Sequence, residues 1–350
     1  MAMALPFPGH AGEISDNWLS EALGRRVLSH SVLDQHDGTT GRVALQLEYD
    51  AGERERVFLK LPPADEQQRA FVLATGMGER EARFYAELAA DVPVRVPRPL
   101  YSGWESGGEH YAMLLEDLEA TGCSFRNASE RYSLDYVRAV LSAFAKLHGR
   151  YWETPRFAAD LDWMEPPPQH PIAPVLVAQA LESHADQMPP IFVEMCELYI
   201  HHTDAVHQLW HRGPHTLVHG DAHDGNMFSD AGEPGFLDWA LLAKTNPMRD
   251  VGYFLAGTVQ PADLADGVQD LFAYYRNALE AEGVNTPPAA EMYRDCQLHA
   301  AYVWVGTVTT LAMGDAWQPV SYVTKTLERL HLALELLQTP RALKSELIDF

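Results

Sequence analysis

The sequence predicts an α+β protein of two lobes, a small β-rich N-terminal lobe followed by a larger helical one. Two periodicities carry that expectation. Between residues 43 and 61 apolar side chains recur at alternate positions, and from about Ser133 they recur at every third and fourth position. A third observation separates the helical patterns: a non-helical block, 215–250, that gathers the polar residues most suggestive of chemistry. With 47% hydrophobic residues over 350, the chain can bury a full core.

The elements follow in order. Asp16 is expected to cap a short helix reaching Gly24. VLSHSVLDQ reads as a strand, HDGTTG as a turn, and RVALQLEY and RVFLKL as two further strands. Val43, Leu45 and Leu47 alternate with polar or small neighbours; Val57, Leu59 and Leu61 repeat the spacing, with Phe58 alone on the other face. Residues 65–90 have helical apolar spacing, with Phe84 and Leu88 on one side. Strands are expected at 98–104 and 110–115 around Gly107 and Gly108. The joint between lobes is placed near 116–122, giving 1–117 and 118–350. Leu134, Val137, Val140, Leu141, Phe144 and Leu147 form one helical face, and EPPPQHPIAP (165–174) reads as a loop between helices. Helical patterns resume at 192–210, 263–281, 290–310 and 320–337.

Composition excludes several function classes. There are 49 acidic against 26 basic residues, a formal net charge of -23. Nucleic acid binding requires a basic stripe to displace counterions, and anionic lipid requires basic charge as well. Neither nucleic acid nor membrane is therefore an expected partner. The acidity suits a cationic substrate, and equally suits solubility alone. MAMALPFPGHAG lacks the basic segment and apolar run of a secretory signal. The most apolar stretch, 300–314, is interrupted by Thr307, Thr309 and Thr310, and is shorter than the roughly 18 residues a spanning helix needs. Cys123, Cys196 and Cys296 lie far apart, which reads as reduced thiols in a cytoplasmic protein.

The chemistry concentrates in LVHGDAHDGNMF (217–228) and GFLDWA (235–240). Phosphoryl transfer asks for a nucleophile held in line and for phosphate charge neutralised by metal. A carboxylate that accepts the proton of an acceptor hydroxyl meets the first need. An amide oxygen and a second carboxylate, both hard donors, suit Mg²⁺ shared with substrate phosphates. Asp221, Asn226 and Asp238 match these roles in order.

HGDxHxxN followed by a DW pair resembles the aminoglycoside phosphotransferase and choline-kinase-like superfamily, distantly related to protein kinases. VFLKL, GEREARFYAEL, LLEDL and NPMRDVGYFLAG look closest to its ecdysteroid-kinase-like branch and to the phosphotransferases related to acyl-CoA dehydrogenase fusions. The likeness runs from about Gly38 to Gly257. It implies a protein-kinase-like fold, and ATP (with GTP as the other candidate) and Mg²⁺ as cofactors. It implies Asp221 as catalytic base, Asn226 as a metal ligand, and Asp238 as the principal one. His219 would orient the loop and Asp250 would brace it from below by accepting backbone hydrogen bonds. Lys60 would pair with the α- and β-phosphates and with a glutamate on the next helix. Glu79 and Glu81 are both candidates, the phrase EARFY favouring Glu81. Gly38, Thr39, Thr40 and Gly41 occupy the place of the nucleotide-binding loop, although two glycines with threonines also make an ordinary hairpin turn. YAMLLEDLEA (111–120) resembles the hinge, where backbone groups around Glu116 to Leu118 would meet the adenine edge.

Other readings compete. His219, Asp221, His223 and Asp224 form an HxDxHD cluster that a binuclear metallohydrolase could use, given further ligands from later loops. A kinase-like binding module without activity is a third class, which usually loses one of the residues retained here. His207 and His211, four apart on a helix, have zinc spacing but no third ligand. The acceptor is expected to be a hydroxyl of a small molecule. Aromatic residues of the helical lobe, among them Trp163, Tyr199, Trp210, Tyr302 and Trp304, suit a bulky or partly apolar alcohol. Acidic residues such as Glu194, Asp204 and Asp263 suit an aminoglycoside, and also suit solvated helix faces.

Overall fold

The computed structural model describes residues 6–36, 38, 40–126, 131–315 and 317–347. The chain forms two compact units. The first is the chain up to Arg126 together with Met227–Leu242; the second is Asn127–Asn226 with Ala243 onward. Residues 118–126 and the segment holding Asp238 thus group with the N-terminal sheet, a division more interleaved than a single cut after residue 117.

The first unit contains α1 (Asp16–Leu23), β1 (Val27–His36), β2 (Gly41–Tyr49), β3 (Arg54–Leu61), α2 (Glu66–Thr75), α3 (Met77–Arg83), β4 (Pro99–Trp104) and β5 (Tyr111–Glu116). The five strands make one antiparallel sheet in the order β1-β2-β3-β5-β4. Along β2 buried and half-buried residues alternate throughout, as the period of two requires. Val43, Leu45, Leu47, Val57, Leu59 and Leu61 form one core with Trp18 and Leu19 of α1. Each such aliphatic side chain withdrawn from water contributes about 1.5–3 kcal/mol. The cap of α1 is Ser15, whose hydroxyl accepts from the Trp18 amide; Asp16 is instead the first helical residue. The single helix expected over 65–90 is broken. Gly76, at φ 66, ends α2 in the left-handed conformation, α3 restarts beyond it, and a π-turn over Phe84–Leu88 follows.

The second unit contains α4 (Leu134–Tyr151), α5 (Ile172–His184), α6 (Pro190–His201), α7 (Thr203–His211) and the short strand β6 (Thr216–Val218). The hairpin β7 (Met227–Asp230) and β8 (Glu233–Phe236) returns to the first unit. Then come β9 (Ala243–Thr245), α8 (Met248–Gly257), α9 (Pro261–Ala281), α10 (Ala289–Met313), α11 (Val320–Leu336) and α12 (Thr339–Leu347). α10 is central, packing against α5, α8, α11 and α12, while α4 packs along α9. β6 pairs antiparallel with β9, so Val218, where the loop leaves β6, lies opposite Ala243, the first residue of β9. The Pro-rich segment is non-helical only as far as Pro171, because α5 takes up Ile172 and Pro174 in its first turn, where a missing N–H costs nothing. Among the described residues no helix is long and apolar enough to cross a membrane.

Three histidines of this unit titrate abnormally. Burial holds the His331 imidazole down at about 4 and that of His299 well below its usual range; burial and then Arg249 hold His207 down at about 4. All three stay neutral in the folded protein near pH 5, whereas the unfolded chain protonates them below about 6.5. The unfolded state then binds more protons, so stability is full above about pH 7 and is lost as pH falls toward 4. At pH 5 the His207 and His331 imidazoles each remove about 2 kcal/mol. Urea unfolding at pH 7.5 and pH 5 should show a lower midpoint at pH 5, and His331→Leu should lose less. Equal midpoints at the two pH values would contradict this burial.

Candidate active site

In the first unit, the antiparallel register sets Lys60 of β3 directly opposite Arg42 of β2, on the sheet face away from Leu59 and Val43. α3 covers that face and supplies Glu81. The Lys60 ammonium donates to both Glu81 oxygens, at 2.6 Å (Oε1) and 2.5 Å (Oε2), and lies 3.3 Å from Asp238 Oδ1. Both members of the Lys60–Glu81 pair are buried. Burial raises the Glu81 carboxyl, and the charge and hydrogen bonds of Lys60 pull against it. The choice between the two glutamates is settled by the helix: Glu79 lies beside Gly108, and Glu81, two residues on, faces Lys60.

Asp238 stands where two cations converge, with Arg42 Nη2 3.3 Å from its Oδ2. Its backbone is left-handed (φ 63, ψ 69), an uncommon state for a residue with a side chain. The next residue holds it there. Trp239 is fully buried, stacks on Phe84 at 4.1 Å, donates its indole N–H to the Phe236 carbonyl and its amide to Glu81. The tryptophan of the DW pair thus anchors the turn.

The expected phosphate loop is partly described. Thr39 lies outside the described residues. Thr40 is buried, Gly38 has nothing within 4 Å of where a Cβ would stand, and at Gly41 a Cβ would meet the Pro62 carbonyl at 3.0 Å. At the expected hinge, Glu116 donates its amide to Arg98 O, and its carboxylate binds Arg95 Nη1 and the Arg98 amide. The Leu118 carbonyl accepts from the Cys123 amide; the Leu118 amide has no partner among the described residues.

In the second unit, the loop after β6 is built around Asp250, in the first turn of α8. Its carboxylate, wholly buried, accepts from the His219 amide (2.7 Å), the Gly220 amide (2.8 Å) and His148 Nε2 (3.1 Å). His148 is fixed in turn: with Nε2–H donating to Asp250, its Nδ1 accepts the Tyr275 hydroxyl at 2.8 Å. Gly220 turns the chain at φ 85, where a side chain would be strained. His219 is buried, its Nδ1 accepting from the Asp221 amide.

The Asp221 carboxylate is consequently held at both oxygens. Tyr253 donates its hydroxyl to Oδ1 at 2.7 Å; Asn226 Nδ2 donates to Oδ2 at 2.9 Å and also to the Asp221 carbonyl at 3.0 Å. His223 Nε2 stands 3.5 Å from Oδ2. Burial pushes this carboxyl up, but His223, the Tyr253 hydroxyl and His219 outweigh it and hold it below the usual carboxylate range. Because Asn226 uses its amide nitrogen here, its Oδ1 is left as a hard donor. Asp238, in the first unit, offers a carboxylate of the same hardness, and each of these oxygens is by itself a donor of the kind Mg²⁺ takes. The HxDxHD cluster is not assembled as a ligand set: among the described residues no group of three His, Cys, Asp or Glu side chains is placed to hold a metal ion.

Tyr253, Arg42 and His148 were not singled out by the sequence. Tyr253 had a readable signal, standing three residues after Asp250 on the same helix face.

Comparison with known proteins places these two constellations in context. The model of the phosphotransferase enzyme family matches residues 42–283. No curated protein matches the chain. Among solved structures, the GDP complex of wild-type aminoglycoside 2'-phosphotransferase-IIIa is similar at TM-score 0.53 and 15% identity, covering 88% of this chain and 93% of its own. The GDP and kanamycin complex of APH(2")-IIIa gives TM-score 0.53 and 14% identity, over 93% and 95%. A Ralstonia eutropha protein provisionally designated an aminoglycoside phosphotransferase gives 0.55 and 15%, over 92% and 97%. At these identities the likeness establishes the kinase-like fold.

Proposed function

The chain belongs to the phosphotransferase enzyme family, and from that premise we propose that it transfers the terminal phosphoryl group of ATP to a hydroxyl of a small molecule in a Mg²⁺-dependent reaction. The observation that carries this reading is the Lys60–Glu81–Asp238 arrangement, a buried cation held by one carboxylate and shared with a second. Glu81 holds the ammonium at one position, and Lys60 then neutralises phosphate charge there without reorganising. Arg42, opposite Lys60, adds a second cation on the same sheet face. The Leu118 amide, without a partner among the described residues, would be the hinge donor for the purine edge.

Asp238 and Asn226 Oδ1 would hold Mg²⁺, which when bound neutralises charge on the transferred group. Asp221 accepts the hydrogen of the acceptor hydroxyl and orients its oxygen toward phosphorus. With its carboxyl held below the usual range it stays ionised, so its contribution is chiefly orientation, with the proton arriving late. The first unit on this reading handles nucleotide and the second handles acceptor. Partly apolar alcohols and aminoglycosides are both candidate acceptors; kanamycin is the ligand in one similar structure and GDP the nucleotide, so GTP belongs in the same trial.

The test is Mg²⁺-dependent consumption of ATP and of GTP against aminoglycosides, macrolides, choline, sterol-like alcohols and hydroxyacyl-CoAs, with Asp238→Asn alongside. Turnover with at least one acceptor is expected, together with a thermal shift from Mg·ATP that Asp238→Asn reduces. Absence of both turnover and any nucleotide-dependent shift would overturn the reading.

A further inference from the structure

In a chain of net charge -23, one cavity of the second unit has two arginines, Arg212 and Arg249, among its lining residues. α7, β9, the first turn of α8 and residues 166–169 enclose about 500 Å³, a size suited to a small molecule. Arg249, only 2% exposed, lines it. Its guanidinium lies over the Tyr302 ring at 3.5 Å and 5.2 Å from the centre of Trp210. Among the described residues its Nε and Nη1 hydrogen-bond to nothing. Guanidinium does not give up its proton in a protein, and a buried charge is ordinarily met by a counter-charge. The neighbouring Asp250 does not serve, because its carboxylate is engaged by two amides and His148.

Of the other polar groups on the wall, Arg212, Asp204, Gln169 and His207 have partners. Arg212 donates to Asp295 and Glu346 at 3.0 and 2.7 Å. Asp204 accepts from Gln169 Nε2 at 2.5 Å. His207 shares a hydrogen with the Tyr199 hydroxyl at 3.3 Å and, held down at about 4 by burial and by Arg249, is neutral at pH 7. One buried cation without a counter-charge is left among the lining residues. Asp204 on the same wall disfavours a second negative charge in the ligand, and Trp210, Pro166 and Pro167 supply apolar surface.

We propose that this cavity binds a small carboxylate with an apolar or aromatic body, Arg249 being its charge partner. Trp210, Tyr302 and Asp204 are also among the residues the sequence offers for an acceptor, but benzoate carries no hydroxyl, so its binding tests this site apart from phosphotransfer. Calorimetric titration of the full chain at pH 7.5 with benzoate, benzamide and inorganic phosphate tests it. Benzoate should bind saturably at one site, and benzamide at least ten-fold more weakly. Benzoate binding should be lost in Arg249→Gln. It should also be lost in Gln208→Trp, which fills the cavity from an exposed wall position and should leave thermal stability unchanged. Should Arg249→Gln fail to fold, Gln208→Trp decides alone. No benzoate binding, or binding undiminished in Gln208→Trp, overturns the site; tighter binding of phosphate than of benzoate overturns the carboxylate assignment.

Discussion

Asp221→Ala should reduce kcat by about 10²–10⁴ while leaving nucleotide affinity and folding close to wild type. The carboxylate is partly exposed, Tyr253 and His223 beside it are only half-buried, and Asn226, though buried, keeps its bond to the Asp221 carbonyl. Its removal therefore leaves no buried charge. What disappears is the acceptor that fixes the hydroxyl in line, a positional contribution whose loss appears in kcat rather than in nucleotide binding. The pH profile separates this role from a simple titrating base. Because the carboxyl is held below the usual range, wild-type kcat should stay level from pH 8 down through 5 with respect to this group. An acid limb centred near 5 that vanishes in Asp221→Ala would contradict the assignment, as would a variant within ten-fold of wild type.

The parts of the molecule legible in the sequence are those set by local periodicity and by close spacing. β2 and β3 were readable because one face is core and the period of two leaves no other register for Val43, Leu45 and Leu47. The loop from His219 to Asn226 was readable because its functional groups are neighbours in the chain. Glu79 and Glu81 were not separable by spacing. The choice depends on where α3 restarts after Gly76, and that follows from a left-handed glycine inside an apparently continuous helical pattern. The same limit hid the break between α6 and α7 at His202. α5 went unread because its apolar residues do not collect on one face, and prolines precede and enter its first turn.

Groups that act through another residue were the least visible. Arg42 becomes relevant only once the register places it opposite Lys60, and His148 lies 102 residues from the carboxylate it supports. Neither has a signal in its own neighbourhood. A histidine on the apolar face of α4 reads as a core residue, and His148 is indeed fully buried; its hydrogen bonds to Asp250 and Tyr275 give it its place in the site.

Asp250→Ala should act in the opposite way to Asp221→Ala, losing stability and activity together. Asp250 is wholly buried, and its removal strands the amides of His219 and Gly220 and the Nε2–H of His148 in a dry interior. An orphaned buried donor costs about 1–3 kcal/mol, and breaking a buried charged network costs about 3–5 kcal/mol in all. A downward shift in Tm of roughly 6–20 °C should follow. Activity at a temperature where the variant remains folded should still fall at least 10²-fold, since the two amides that set the path of the loop also set the position of Asp221. Asp250→Asn, which keeps one acceptor oxygen, should recover part of the stability and less of the activity. His148→Phe should add little to Asp250→Ala, because the imidazole has already lost its partner. If Asp250→Ala melts at the wild-type temperature, the carboxylate is not what holds the loop, and the placement of Asp221 must come from β6 and β9 instead.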